Sequence, residues 1–212
     1  QQLLRESQTW IHHRQPAIAA IHVSKLASID QGTQPLSHRR AVDTEAAVTL
    51  MIVVTEFSGK RVAVLGLAKS GRAAARALLE GGAEVLAWDD SAKAREAVAG
   101  EVPLLDPTSV DWGGVAALVL SPGIPLTFPQ PHPVVLRARE AGAKIIGDID
   151  LLGRMQPQAR YVGITGTNGK STTTALIGHI LCEAGKRVEI GGNLGTPALS
   201  LAPLGADGIY VL

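Results

Sequence analysis

From residue 61 onward, short apolar runs alternate with helix-forming stretches, and this alternation constrains the fold more than any other feature. Arg61-Val-Ala-Val-Leu-Gly66, Glu84-Val-Leu-Ala-Trp88, Val115-Ala-Ala-Leu-Val-Leu120 and Lys144-Ile-Ile146 read as strands. Between them, residues 70–79, 91–98 and 133–141 read as helices, the first closed by Gly81-Gly82, and a turn of helix follows over 148–154. Near-continuous apolar strands separated by helices are satisfied by a mostly parallel sheet with right-handed crossovers. After the polar, proline-bearing stretch 153–160, read as a linker, the pattern restarts. Tyr161-Val-Gly-Ile-Thr165 is a strand, 170–184 a helix ended by Gly185, and Arg187-Val-Glu-Ile190 and Ile209-Tyr-Val-Leu212 are further strands.

The reading is therefore α/β, with a Rossmann-like parallel-sheet domain over 51–155 and a second α/β unit over 156–212. The second unit has few strands and little core, so the chain reads as truncated within it. Residues 1–50 are of another kind. Of the 23 glycines they hold only Gly32, yet they hold His12, His13, His22 and His38 of the six histidines. Apolar patches such as Ile18–Ile21 show no sustained period of 2 or 3.6. This stretch reads as an atypical extension outside the core fold, with Met51 as the start of the folded protein. It lacks the apolar run and cleavage site of a secretory signal, and Ala46 to Val54 is far short of a membrane span.

Composition narrows the function classes. A formal net charge of +1 and an aromatic content of 3% argue against nucleic acid or a polybasic membrane surface as partners. One cysteine rules out an internal disulfide framework and fits a reducing compartment.

The chemistry concentrates at Thr165-Gly166-Thr167-Asn168-Gly169-Lys170-Ser171-Thr172, between a strand and a helix. Glycines let backbone N–H groups turn inward, and the helix N-terminus adds partial positive charge, so the loop suits phosphate. Lys170 is spaced to reach terminal phosphates, as the catalytic cation of a nucleotide site, and the Ser171 hydroxyl to ligate Mg²⁺. Strict phosphate-loop spacing would need glycine at 164, where Ile164 stands, so the loop is a variant. In the first domain, Gly66-Leu-Ala-Lys-Ser-Gly71 follows a strand and Asp89 ends the next. That resembles a dinucleotide fingerprint, but Ala68 replaces its middle glycine.

The Thr165–Thr172 loop resembles the ATP loop of the Mur ligase superfamily. Ser121-Pro122-Gly123-Ile124-Pro125, Gly147-Asp148-Ile149-Asp150-Leu151 and Gly191-Gly192-Asn193-Leu194-Gly195 stand in the order and spacing of its D-glutamate-adding branch, over about residues 58–212. The resemblance implies that 156–212 begins the ATP-binding central domain. It implies an ATP- and Mg²⁺-dependent amide ligase, a cytoplasmic bacterial monomer. Its substrates would be UDP-N-acetylmuramoyl-L-alanine and D-glutamate, with no nucleic-acid or membrane partner. ATP would be held by Gly166, Thr167, Asn168, Gly169, Lys170, Ser171 and Thr172. The uridine nucleotide would meet Lys69, Ser70, Gly71, Asp89 and Asp90, and the diphosphate would also meet Ser121, Pro122 and Gly123. Asn193 would lie by the sugar peptide. Ser91 stands where some relatives carry a basic residue. Further metal ligands and the amino-acid determinants would lie past Leu212, so the 212 residues alone are expected not to ligate.

Other readings stay open: another member of the superfamily, a non-catalytic uridine-nucleotide module, or a phosphate-loop NTPase with an NAD-binding front domain. Asp148 and Asp150 read as a helix cap with a first-turn acid, and His179 with Cys182 as one packed helix face.

Overall fold

The computed structural model describes residues 18–22, 51–192 and 195–212. Its elements in chain order are β1 (Ile18–His22), β2 (Arg61–Leu65), α1 (Lys69–Glu80), β3 (Glu84–Trp88), α2 (Ala92–Glu96), β4 (Val115–Leu120) and α3 (Pro133–Glu140). There follow β5 (Lys144–Ile146), α4 (Asp148–Met155), β6 (Arg160–Thr165), α5 (Lys170–Glu183), β7 (Arg187–Ile190), a single 3₁₀ turn (Ala198–Ser200) and β8 (Gly208–Val211). The expected helix over 91–98 is shorter than its pattern: α2 ends at Glu96, and the chain leaves it through turns that reach Gly100, which has φ +81°.

The first sheet has the order β3-β2-β4-β5, parallel throughout, with Val64 opposite both Ala87 and Val119. Its central strands are buried on both faces, which is why they read as unbroken apolar runs. Helix α1 buries Ala73, Ala74, Ala75 and Ala77, small side chains that let it lie close on the sheet. Helix α3 starts with Pro133, whose fixed φ suits a first helical position, and with the His132 ring as its cap.

The second sheet runs β1-β6-β8-β7, again all parallel. Within the stretch read as an extension, Ile18–His22 forms an edge strand beside β6, Ile18 opposite Tyr161. The rest of residues 1–50 lies outside the described residues.

One hydrophobic core joins the two sheets. Ile52, Val54, Leu78, Val85 and Leu152 from the first region share a cluster with Tyr161, Leu199, Leu201 and Tyr210 from the second. The Ile52 N–H donates to the Leu199 carbonyl at 3.0 Å, and the Tyr161 and Tyr210 rings stack with centroids 5.4 Å apart. The stretch 153–160 is accordingly no free linker. Gly153 to Met155 complete α4, Ala159 is buried, and Gln156 Oε1 accepts the Leu204 and Gly205 N–H groups at 3.2 Å each. The Gln156 side chain is spent on loop backbone, which composition does not reveal.

Candidate functional site

Ligands of open parallel sheets bind outside the carboxyl ends of the strands. Here the carboxyl edges of both sheets meet across one cavity of about 220 Å³, lined by Ala68, Lys69, Ser70, Ser121, Pro122 and, from the second region, Gly192, Gly195 and Pro197. Four of the expected substrate-binding residues (Lys69, Ser70, Ser121, Pro122) thus share a wall with the glycine loop that follows β7. Asn193, in that loop, lies outside the described residues.

The floor of the cleft is backbone packed against backbone. A Cβ on Gly71 would sit 1.7 Å from the Gly66 carbonyl oxygen, so only glycine allows α1 to start this close to β2. Ser121 is buried, and its hydroxyl donates to the same Gly66 oxygen at 2.7 Å, tying β4 to the β2–α1 loop. Its observed role is therefore to fix the loop, while Pro122 and Gly123 beside it are exposed.

The two acids after β3 differ. Asp89 accepts the Leu67 N–H at 2.6 Å on one oxygen and the Ser91 N–H at 2.8 Å on the other, so it braces two loops. Asp90 is exposed and meets His132 Nε2 at 2.9 Å. The Arg95 guanidinium lies over the Trp88 ring at 4.3 Å and donates to the Asp89 and Asp90 carbonyls, at 2.6 and 3.0 Å. A basic group thus reaches this corner from α2.

Sequence reasoning missed two residues. Asp148 is only 6% exposed, and burial pushes its carboxyl above the ordinary carboxylate range, opposed by the Ile149 N–H and the Ser70 hydroxyl. It is not the helix cap expected of it: Gly147 holds that position, and Asp150 accepts the Gly147 N–H at 2.9 Å. Nothing local marks Asp148, because its burial depends on α1. His132 was legible only as a polar residue before Pro133.

The second loop is built differently. Gly169 sits in the left-handed region (φ 77°) and turns the chain into α5, whose first N–H groups have no acceptors within the helix. A Cβ on Gly169 would meet nothing within 4 Å, so the loop is open where Gly66–Gly71 is packed. Lys170 Nζ folds back to donate to the Gly166 and Thr167 carbonyls, at 2.5 and 3.3 Å. Ser171 and Thr172 are exposed at the helix start. Unclaimed N–H groups, one ammonium and two hydroxyls fit a nucleotide's phosphates. For Mg²⁺ the loop offers the Ser171 hydroxyl, and among the described residues no cluster of three His, Cys, Asp or Glu could hold a metal. His179 and Cys182 do not form the packed face expected of them: both are exposed, because α5 buries only Thr174 and Gly178.

No family model matches the chain. Among curated proteins it is 56% identical over 169 residues to the UDP-N-acetylmuramoylalanine--D-glutamate ligase of Phenylobacterium zucineum, covering 76% of this chain and 36% of that protein. The proteins of the same name from Bradyrhizobium diazoefficiens and Rhodospirillum rubrum are 54% and 52% identical over 168 residues, again covering 76% of this chain. The chain spans about a third of the length of the curated relatives it matches.

Proposed function

We propose that this chain, which belongs to the family of UDP-N-acetylmuramoylalanine–D-glutamate ligases, holds the uridine-nucleotide cleft and the ATP loop of such an enzyme. The observation that carries the proposal is the meeting of the two carboxyl edges. One cavity brings Lys69, Ser70 and Pro122 against the loop after β7, in the sheet whose β6 leads into the phosphate loop. A substrate with a nucleotide at one end and a reacting carboxylate at the other needs such a bipartite site.

In this reading the substrate carboxylate of UDP-N-acetylmuramoyl-L-alanine takes the terminal phosphoryl group of ATP, releasing ADP. The amine of D-glutamate then attacks the acyl carbon, phosphate leaves and the amide remains, as a step of bacterial peptidoglycan precursor synthesis. Phosphoryl transfer asks a protein for positioning and for positive charge more than for covalent chemistry. Lys170 supplies a cation once it leaves the Gly166 and Thr167 carbonyls for the phosphates. The Gly166–Thr172 backbone supplies N–H donors, and the Ser171 hydroxyl offers an oxygen ligand to Mg²⁺, which would neutralise phosphate charge. Lys69 and Ser70 face the diphosphate, with Gly71 allowing the close approach and Gly123 the turn beside it. Among the described residues no helix is long and apolar enough to cross a membrane, and the reading puts the work in the cytoplasm on small-molecule substrates.

Calorimetric titration of the chain with Mg·ATP and with UDP-N-acetylmuramoyl-L-alanine tests this. Lys170→Ala is expected to weaken ATP binding at least tenfold and to leave the uridine ligand's affinity within twofold. Unchanged ATP affinity in the variant, or no binding of the uridine ligand by the parent chain, overturns the reading.

A further inference from the structure

Among the described residues Asp148 is the one buried acid, and it stands at the first position of α4. Its carboxyl accepts the Ile149 N–H on Oδ1 at 3.0 Å and also the Ser70 hydroxyl. Ser70 in turn lines the cavity of about 220 Å³, beside Lys69. One hydroxyl therefore stands between a buried carboxyl and the space that a ligand would fill.

A serine hydroxyl has one proton to give. While Ser70 gives it to Asp148, its oxygen can offer the cavity only lone pairs. A diphosphate presents only acceptor oxygens at neutral pH, so the two would meet acceptor to acceptor. One proton added to Asp148 reverses the chain of bonds. The acid O–H then donates to Ser70 Oγ, and the Ser70 proton is free for a phosphate oxygen. Oδ1 keeps the Ile149 N–H throughout, so no other bond has to break. Burial already disfavours the charged carboxyl, and an anion beside Ser70 disfavours it further. Asp150, in the same helix, acts in the same direction. Of the elements packed on α4, helix α1 carries Lys69 beside Ser70, Arg72 and Arg76 both bonded to Glu101, and Glu80 at its far end. The turn Ala198–Ser200 carries no titratable side chain.

We infer that Asp148 is a positioning residue that takes up a proton from solvent when a diphosphate binds, turning the Ser70 hydroxyl from itself to the ligand. The inference rests on the proposed uridine-nucleotide reading and deepens it: the cleft binds its diphosphate together with one proton.

UDP-N-acetylmuramoyl-L-alanine is the probe, because its diphosphate is esterified at both ends and does not itself titrate near neutrality. Calorimetric titration of the chain in two buffers of different ionisation enthalpy counts the protons taken up on binding. The parent is expected to take up about one proton per ligand, and its affinity to fall as pH rises from about 6 to about 8. In Asp148→Asn the side-chain amide donates to Ser70 Oγ with no proton from solvent. That variant is expected to take up none, to hold its affinity within twofold across the same pH range, and to bind at least as tightly as the parent at the alkaline end. Ser70→Ala, at the cleft wall, leaves no hydroxyl to turn and is expected to bind more weakly and to lose the uptake; it carries the test by itself should Asp148→Asn fail to fold. A purely structural Asp148 would move the melting temperature and leave the proton count alone. Binding by the parent without proton uptake overturns the inference, as does undiminished uptake in either variant. A parent that does not bind the probe fails the nucleotide reading itself and takes this inference with it.

Discussion

The two strand–loop–helix units of this chain share one grammar and differ in how they are packed. In the first, β2 and α1 enclose a loop whose glycines are required by contact: Gly71 abuts the Gly66 carbonyl, and Ser121 is bonded to that same oxygen. In the second, β6 and α5 flank a loop whose Gly169 is required by its left-handed backbone, with open space around it. Helix α1 buries five of its alanines and leucines, whereas on α5 Leu176 and Ile180 are 53% and 55% exposed. A ligand recognised by its shape needs a rigid, close-packed floor. A triphosphate recognised by charge needs donors that are open and a cation that can move. The same residue type, glycine, serves both for different physical reasons.

The contrast can be broken by experiment. The largest effect is expected from Leu118→Ala, which opens a cavity at a fully buried position of the first sheet and costs about 3 kcal/mol; urea unfolding measures it. Gly71→Ala forces backbone apart at the cleft floor, for about 2 kcal/mol, and is expected to abolish UDP binding while ATP binding survives. Loss of both affinities together would show that the two loops are not separately built.

Asp148→Asn is expected to have a smaller effect that depends on pH. Burial raises the folded-state pKa of Asp148 above its ordinary 3.8. The carboxyl's contribution is therefore intact below 3.8 and is lost as pH rises through the folded value. The variant should melt progressively higher than the parent as pH climbs from acid to neutral. Glu189 is pushed up by burial too, but it is common to both proteins and cancels in the difference. Melting curves at several pH values read this, and a gap that stays constant or closes with pH contradicts the assignment. The smallest effect is expected from Leu176→Ala on the outside of α5, about 0.5 kcal/mol or less. A cost like that of Leu118→Ala would mean that this helix face is covered in solution.

Strands β2 and β4 were legible because burial on both faces writes itself as continuous Val, Leu and Ala, and the less buried β6 and β7 because helix patterns alternate with them. The two loops were legible because each sets glycine, lysine and a hydroxyl within a few residues of one another, the pattern that phosphate chemistry asks for. What escaped depends on distant partners. The contact of His132 with Asp90 spans 42 positions, and Asp148 meets the Ser70 hydroxyl, which α1 supplies from far along the chain. Ile18–His22 escaped because the sequence around it shows none of the strand–helix alternation that marked the others. Gln156 read as linker because its polar head is spent on the backbone of Leu204 and Gly205, a use that composition cannot distinguish from solvation.

The single turn Ala198–Ser200 has a consequence for how the cleft behaves over time. Its Leu199 is locked among α1 and α4 residues and bonded to Ile52, so it rivets the loop after β7 to the opposite wall of the cavity. The gap between Ser70 and Gly192 is then set, like a caliper, by that contact. In the proposed reading a nucleotide would arrive at a slot whose width is already set. The chain should also lose both sheets in one calorimetric transition, since neither can melt without pulling that rivet.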